Sequence, residues 1–421
     1  MDRTATQSAT ATRTEPVPAA AERYVARQPI LDAHGRVHGY ELLFRDGRQA
    51  ALRGDGDTAS RAILDDAVLF GLERYTNGLP GFVHCTVDTL TEQLVRVLPA
   101  SMTVLVIPAS AEANAELIKA CLELKAAGFR LALEGEAWSG RSQPLADRAD
   151  YIVVDFSRLD DEARGRMRDE LRQFTAAKIA RKVATQEDFQ QAAAAGFTLF
   201  EGDYFCQPVV VKNRKVPGNR FFHFELLRHL NRESIELKKV AELVLRDAAL
   251  TYRLLRLVNS PICAIQREVT SIEMALIIIG EQAFRRIATL AILSELNDGQ
   301  PQEILQMALV RARFCALAAG QCAQDAGEQY LLGLLSLLPA MLGLPMEALT
   351  PSLPLRAEIR DALEGTVNAE RALLAWLEFH EHGDWAACDT IVAVNGLNVK
   401  KLVQSYGEAV DWAKATLHAA A

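Results

Sequence analysis

No stretch of this 421-residue chain is apolar for long enough to span a bilayer. The longest uncharged segment, Gln329 to Met346, is interrupted by Pro339, Pro345, Gly333 and Gly343, whereas a spanning helix needs about 20 apolar residues. It reads as two short buried helices joined by a turn, and no membrane partner is expected. No apolar core follows Arg3 in the first 22 residues, so a secretion signal is not expected. Their Ala, Thr, Ser and Pro content predicts a disordered tail over 1–22. Cysteines are few and unpaired: seven are scattered with no CxxC spacing, which excludes a disulfide framework or zinc cluster and suits a reduced, cytoplasmic protein. Positive charge is in deficit, 46 Lys and Arg against 54 Asp and Glu, for a net −8. Such a field repels polyanions, so no nucleic acid partner is expected. Neither GxGxxG nor GxxxxGKS is present, which counts against a nucleotide-binding doubly wound sheet.

What is present divides in two. Hydrophobic residues make up 50% and charged residues 24%, ordinary globular proportions for a chain with room for two or three domains. Over residues 23–210, short β-rich runs alternate with helical stretches. Strands are expected at Tyr24–Ile30, Val37–Phe44, Gly81–Thr86, Thr103–Ile107, Phe129–Leu133, Tyr151–Phe156, Lys178–Val183 and Thr198–Phe205, with helices such as Ala111–Ala126 and Leu159–Phe174 between them. Continuous apolar runs such as VLVI and YIVV suit a parallel sheet covered on both faces. Thr185 and Asp188 form a capping-box-like helix start. A (β/α) barrel and an open doubly wound sheet both fit this alternation.

The polar segment 211–220 reads as a linker, and residues 221–421, with a core of about 221–400, read as all-α. Ser234 and Asp247 are expected caps, Asn259-Ser260-Pro261 ends one helix, and Thr270 with Glu273 forms a capping box for a helix stopping at Gly280.

The opening YVARQPILDAHGRVHGYELLFRDG, followed in order by FVHCT (82–86), VLVIPA (104–109), GFRLALEGE (128–136), ADYIVVDF (149–156), IARKVAT (179–185) and GFTLFEGDYFCQPV (196–209), resembles an EAL domain, the cyclic di-GMP phosphodiesterase barrel. The resemblance implies a (β/α) barrel whose strand ends hold two divalent cations that polarise the phosphate and activate water. At those positions this sequence keeps Glu41 but has His84 for an Asn, Ala109 for a Glu, Glu134 and Gly135 for paired aspartates, Val153 for a Lys, Arg181 for the acid of Ala-Glu-Gly-Val, and Glu201 for a Gln; Asp155 is retained. An Arg among Glu41, Glu134 and Glu201 can take the place of a metal. The expectation is therefore a vestigial barrel-mouth site of Glu41, His84, Glu134, Asp155, Arg181 and Glu201, with no catalytic residue, no metal and no cofactor. His84 is expected as a hydrogen-bonded wall residue, and Glu134, Asp155 and Glu201 as ion-pair partners. Arg45 stands where the family places a phosphate contact.

The second half resembles an HDOD domain, a helical bundle related to HD phosphohydrolases but without their metal ligands. RDAALTYRLLRLVNSPICAI (246–265) and VTSIEMALIIIG (269–280) carry the likeness, with Asp247, Tyr252, Asn259, Ser260, Ser271 and Gly280 as its structural signature. No His is followed by Asp anywhere. His380-Glu381-His382 has a spacing that puts the two imidazoles on different helix faces, so it reads as a solvated polar turn. The helix with Arg285 and Arg286 turns wholly apolar, unlike a DNA-recognition helix.

Together these features give a multidomain expectation: an EAL-type barrel followed by an all-helical HDOD bundle, in a cytoplasmic, non-enzymatic signalling protein acting through contacts with other signalling proteins. A cyclic di-GMP receptor is the alternative and an active phosphodiesterase the third reading; a homo-oligomer is left open.

Overall fold

The structure, a computed structural model, describes residues 25–44, 72–135, 142–207, 220–231, 236–259, 269–297, 299–353 and 355–418. The expected tail over 1–22, Arg45, Ser234, Ser260 and residues 211–219 of the expected linker lie outside the described residues.

Eight strands close into a barrel in chain order: β1 (Val25–Asp32), β2 (Val37–Phe44), β3 (Gly81–His84), β4 (Thr103–Ile107), β5 (Arg130–Glu134), β6 (Tyr151–Asp155), β7 (Ala177–Arg181) and β8 (Leu199–Glu201). The closed form decides between the two architectures that the alternation allowed. β1 runs antiparallel to both β2 and β8, and every other pairing is parallel. The apolar runs fill both sides, because alternate residues point in and out. Ile30, Phe82, Val104, Val106, Ala132, Tyr151, Val153, Ile179 and Leu199 form the inner core, and each buried Val, Ile, Leu or Phe contributes about 2 kcal/mol.

Among the barrel helices, α1 (Ala115–Ala126) and α2 (Asp161–Leu171) start later than the hydrophobic pattern implies, because capping side chains fix the first turn, while α3 (Gln186–Ala194) starts directly after Thr185 as expected. Asn114 and Asp160 accept from the backbone N–H three residues on, and Thr185 with Asp188 forms the expected capping box. The last strand is shorter than expected. After Glu201 the chain turns at Gly202, whose φ is 140° and whose Cα approaches Val183 so closely that a Cβ would lie 2.3 Å from its carbonyl oxygen. Only glycine fits that approach and that backbone region.

From Arg220 onward the fold is helical: α4 (Arg220–Leu230), α5 (Leu237–Leu245), α6 (Ala248–Val258), α7 (Ile272–Leu296), α8 (Gln302–Ala318), α9 (Ala326–Leu335), α10 (Ala357–Leu363), α11 (Ala372–Glu381), α12 (Trp385–Asn395) and α13 (Val399–His418) are its main members. The expected short pair at 329–346 is α9 followed by the turn of helix Leu338–Leu342. Asp247 caps α6 through Leu250 N–H at 3.1 Å. Asn259 closes the next connection by exchanging two hydrogen bonds with the Val269 backbone. The cap of α7 is Ser271, accepting from Met274 N–H, rather than the expected Thr270 box; its position one residue closer to the first helical turn lets the short hydroxyl reach that N–H. Gly280, at φ 77°, breaks α7 as expected, and the chain re-enters helix beyond it.

The bundle lies against the outer face of the β1–β2 hairpin. Arg27, on that face, sits over the Tyr40 ring at 4.7 Å and donates to the Tyr75 carbonyl at 2.9 Å. The Tyr40 hydroxyl donates to Glu303 of α8 at 2.9 Å, Asn77 to Gln306 at 3.2 Å, and Arg74 to Asp411 of α13 through two N–H groups. Glu303 and Arg27 are both buried, so each relies on this polar contact for the hydrogen bonds that water would otherwise supply.

Gly202→Ala should lower unfolding stability by about 3 kcal/mol. Urea denaturation followed by circular dichroism measures it, and an unchanged midpoint would contradict the close approach.

Candidate functional site

Strand ends deliver the charged residues. His84, Glu134, Asp155, Arg181 and Glu201 are the last residues of β3, β5, β6, β7 and β8, and Glu41 lies within β2. In a barrel of this kind the C-terminal ends converge on one mouth, and here they do so around Arg181. Its Nη2 donates to Glu41 Oε1 at 2.8 Å, its Nη1 donates to Glu134, and its Nε lies 3.5 Å from Glu201 Oε1. His84 Nε2 bonds Glu41, and its Nδ1 lies 3.6 Å from Glu134 Oε1. Asp155 stands apart from this centre, accepting from Lys182 Nζ and Ser157 Oγ, both at 2.6 Å, with Arg158 Nε at 3.4 Å. Five of the six expected mouth residues thus meet directly; the sixth belongs to a second ion-pair group on the same rim. Arg45 lies outside the described residues.

The electrostatics follow from burial. Glu41 and Glu201 are 2% and 3% exposed. Burial opposes ionisation of Glu41, but the Arg181 guanidinium and His84 outweigh it and hold the carboxyl well below its usual range. Burial and the neighbouring Glu41 charge push Glu201 well above the ordinary carboxylate range. Burial works against the Arg181 charge too, yet Glu41, Glu201 and Glu134 more than compensate. Desolvation would raise Asp155, and hydrogen bonds from Lys182 and Ser157 bring it below its usual range.

This donor set does not fit the two divalent cations that the resemblance implies. A guanidinium fills the centre that a cation would need, three N–H groups face the carboxylates, and Ala109 and Gly135 on the cavity wall bring no side-chain ligand. Among the described residues, one other group has metal-ligand chemistry, His223, Asp247 and Glu295 in the bundle; there Asp247 already caps α6 and meets His223 Nε2 at 3.3 Å.

A cavity of about 760 Å³ opens over the mouth, walled by Leu42–Phe44, His84–Val87, Pro108–Ser110, Glu134, Asp155, Arg158, Arg181, Lys182 and Trp385. Sequence reading missed three of these. Arg158 and Lys182 lie just beyond the ends of β6 and β7, so strand register could have found them. Trp385 comes from the bundle and had no signal in the barrel sequence.

The His380-Glu381-His382 segment is not a solvated turn. His380 is fully buried among Trp376, Trp385 and Tyr406, Glu381 pairs with Arg311 at 2.7 Å, and His382 Nε2 reaches Asp203 of the barrel at 2.8 Å. Burial pushes His380 down to about 3, which keeps it neutral, while the Asp203 hydrogen bond raises His382 to about 9. Helix-face geometry was read correctly, but it could not say what packs on each face.

Replacing the central cation leaves buried carboxylates unpaired, so Arg181→Met should cost about 3–5 kcal/mol, and the deficit should shrink in acid as those carboxylates protonate. Urea unfolding of both proteins at pH 4.5 and 7 checks this. Glu201 tests the opposite sign. Its raised pKa stabilises the fold below about 4.5, its ordinary value, and that contribution is lost as pH rises through the raised value. Glu201→Gln, permanently neutral, should therefore gain stability relative to the wild type as pH rises above about 4.5, read from the same urea unfolding.

Comparison with known proteins bears on this mouth. The HDOD domain profile matches residues 221–350. The chain is 30% identical over 398 residues to "Cyclic di-GMP phosphodiesterase CdgJ" of Vibrio cholerae, covering 93% of this chain and 92% of that protein. It is 28% identical to YuxH of Bacillus subtilis, an uncharacterized protein, over 92% of this chain and 97% of that one. Among solved structures, Klebsiella pneumoniae BlrP1 in a calcium/cyclic di-GMP complex is 19% identical with a TM-score of 0.36, covering 43% of this chain and just over half, 54%, of that one. The expectation of a non-enzyme is corrected by the Vibrio relative, whose name is that of an enzyme and which aligns along nearly the whole chain. No helix among the described residues is long and apolar enough to cross a membrane. With that relative and the HDOD match in place, the chain belongs to the family that joins an EAL-type barrel to a C-terminal HDOD domain.

Proposed function

We propose that the chain is a cyclic di-GMP signalling protein that takes the dinucleotide at the barrel mouth. The observation that carries this reading is the cavity of about 760 Å³ over the strand ends, in a chain related along 93% of its length to a protein named for cyclic di-GMP. Its size is within the range of small-molecule sites. Lys182 and Arg158 surround the single carboxylate Asp155 on the rim, an excess of cations suited to phosphate oxygens. In this binding reading the carboxylates of the inner cluster turn the phosphates toward the rim cations.

A second reading, turnover in the same mouth, is favoured by the His84–Glu41 contact. An imidazole oriented by a buried carboxylate is a common general acid–base device, and Arg181 beside it offers positive charge. Attack by water on a phosphodiester would break one P–O bond, with a proton leaving the water and another reaching the released sugar oxygen. With His84 Nε2 on Glu41, Nδ1, which lies 3.6 Å from Glu134 Oε1, is the nitrogen left for that proton traffic. No step is routed through a metal, because the donors present do not fit one. The bundle's part in the proposal is to face other signalling proteins; Tyr252 and Ile277, 66% and 79% exposed, are apolar groups available for such contacts.

Titration calorimetry of the full chain with cyclic di-GMP should give saturable binding, weakened about tenfold by Lys182→Ala, one lost charge-assisted contact. No heat at high micromolar ligand would refute the reading. Chromatography of the same mixtures, with EDTA or with added Mg²⁺ or Mn²⁺, scores turnover to the linear dinucleotide. Loss of product in His84→Ala is expected for the acid–base reading, and turnover only with added metal would overturn it.

A further inference from the structure

The cavity over the barrel mouth is walled partly by a residue from the other domain, Trp385, the first residue of α12. Three contacts hold the turn that carries it, Glu381 to Trp385. Glu381 is anchored by Arg311 inside the bundle at 2.7 Å. His382 Nε2 meets both Asp203 oxygens, at 2.9 and 2.8 Å, just past the end of β8. Gly383, at φ 66°, lies so close to β2 that a Cβ there would stand 2.9 Å from Leu43 Cδ1. Asp384 then caps α12 by accepting from Ala387 N–H at 3.1 Å. The indole is backed edge-on by the buried His380 ring at 5.3 Å, so the wall is fixed from behind as well as from both sides.

Trp385 stands on the β2 side of the rim, through Gly383 and Leu43. In a closed eight-stranded barrel taken in chain order, β2 and β6 face each other across the mouth. The cavity therefore has an indole on one side and the Arg158, Asp155 and Lys182 group, at the ends of β6 and β7, on the other. Trp385 is 5% exposed, so the indole brings only an edge to the cavity, an apolar contact for a nucleotide whose phosphates meet the cations on the other side.

We propose that the barrel-mouth ligand site is completed by the bundle, through Trp385 and the turn Glu381–Asp384, so that a nucleotide in the mouth and the docking of this turn stabilise one another. The inference rests on the cyclic di-GMP reading above and adds which domain supplies part of the site. Coupling follows from linkage: a ligand that touches Trp385 only when the turn is docked favours the docked form by its differential affinity. Through the α11–α12 connection, occupancy of the barrel then reaches the bundle.

The test uses the full chain and cyclic di-GMP. Hydrogen–deuterium exchange of the wild type should show amides of residues 382–388 gaining protection with ligand. Trp385→Leu and His382→Ala, each checked for a wild-type melting transition, should bind about tenfold more weakly, while Trp412→Phe, on α13 beside Tyr330, should bind as the wild type does. A wild type that binds with no added protection at 382–388, or a folded Trp385→Leu of unchanged affinity, overturns the composite site and leaves the cyclic di-GMP reading standing. A wild type that does not bind overturns both. If the variants do not fold, the exchange measurement on the wild type decides.

Discussion

A guanidinium buried among carboxylates sets the terms for the barrel mouth. Arg181 meets Glu41, Glu134 and Glu201 at once, and without it the acids delivered by three strands would repel one another in a low-dielectric pocket. With it, one carboxyl is held well below the usual carboxylate range while burial and that charge push its neighbour well above it. The barrel thereby closes over charges that parallel strands force together, because register brings every strand end to the same rim. A cation from the chain itself does the job that metal ions would do for a more acidic mouth, and it also leaves His84 and the rim cations as the groups that face the cavity.

The second constraint is the antiparallel β1–β2 hairpin. A four-residue turn joins the two strands, so no crossover helix lies between them, and their outward residues Arg27 and Tyr40 are covered by α8 of the bundle through Glu303. Buried polar groups on both sides are matched, which favours one relative placement of the domains over sliding. That placement also carries the Glu381–Trp385 turn to the rim. Domain docking and the shape of the mouth are thus two results of one packing arrangement.

Much of this was legible in the chain. Continuous apolar runs and capping residues marked the strands and helices, and an ordered series of motifs marked the barrel. The conclusion drawn from those motifs was too strong: substitution at metal-ligand positions argued against an enzyme, yet a relative aligned over 93% of the chain is named as one. Losing one ligand set removes one mechanism and says nothing about the acid–base groups that remain, such as His84 held by Glu41.

By itself the sequence determined the period of each segment, the halves they form, and which charged residues stand at strand ends, because alternation and capping are local properties of the backbone. That Arg181 would stand among glutamates was an expectation carried by the EAL resemblance, which supplied the strand order. Only the tertiary structure decided that the barrel closes, that His380 lies in an aromatic cage while His382 reaches Asp203, and that Trp385 walls the mouth. The last two, the His382–Asp203 contact and the Trp385 wall, depend on side chains far apart in the chain meeting across a domain boundary. No local periodicity encodes such a meeting, because it is fixed by the fit of two completed surfaces.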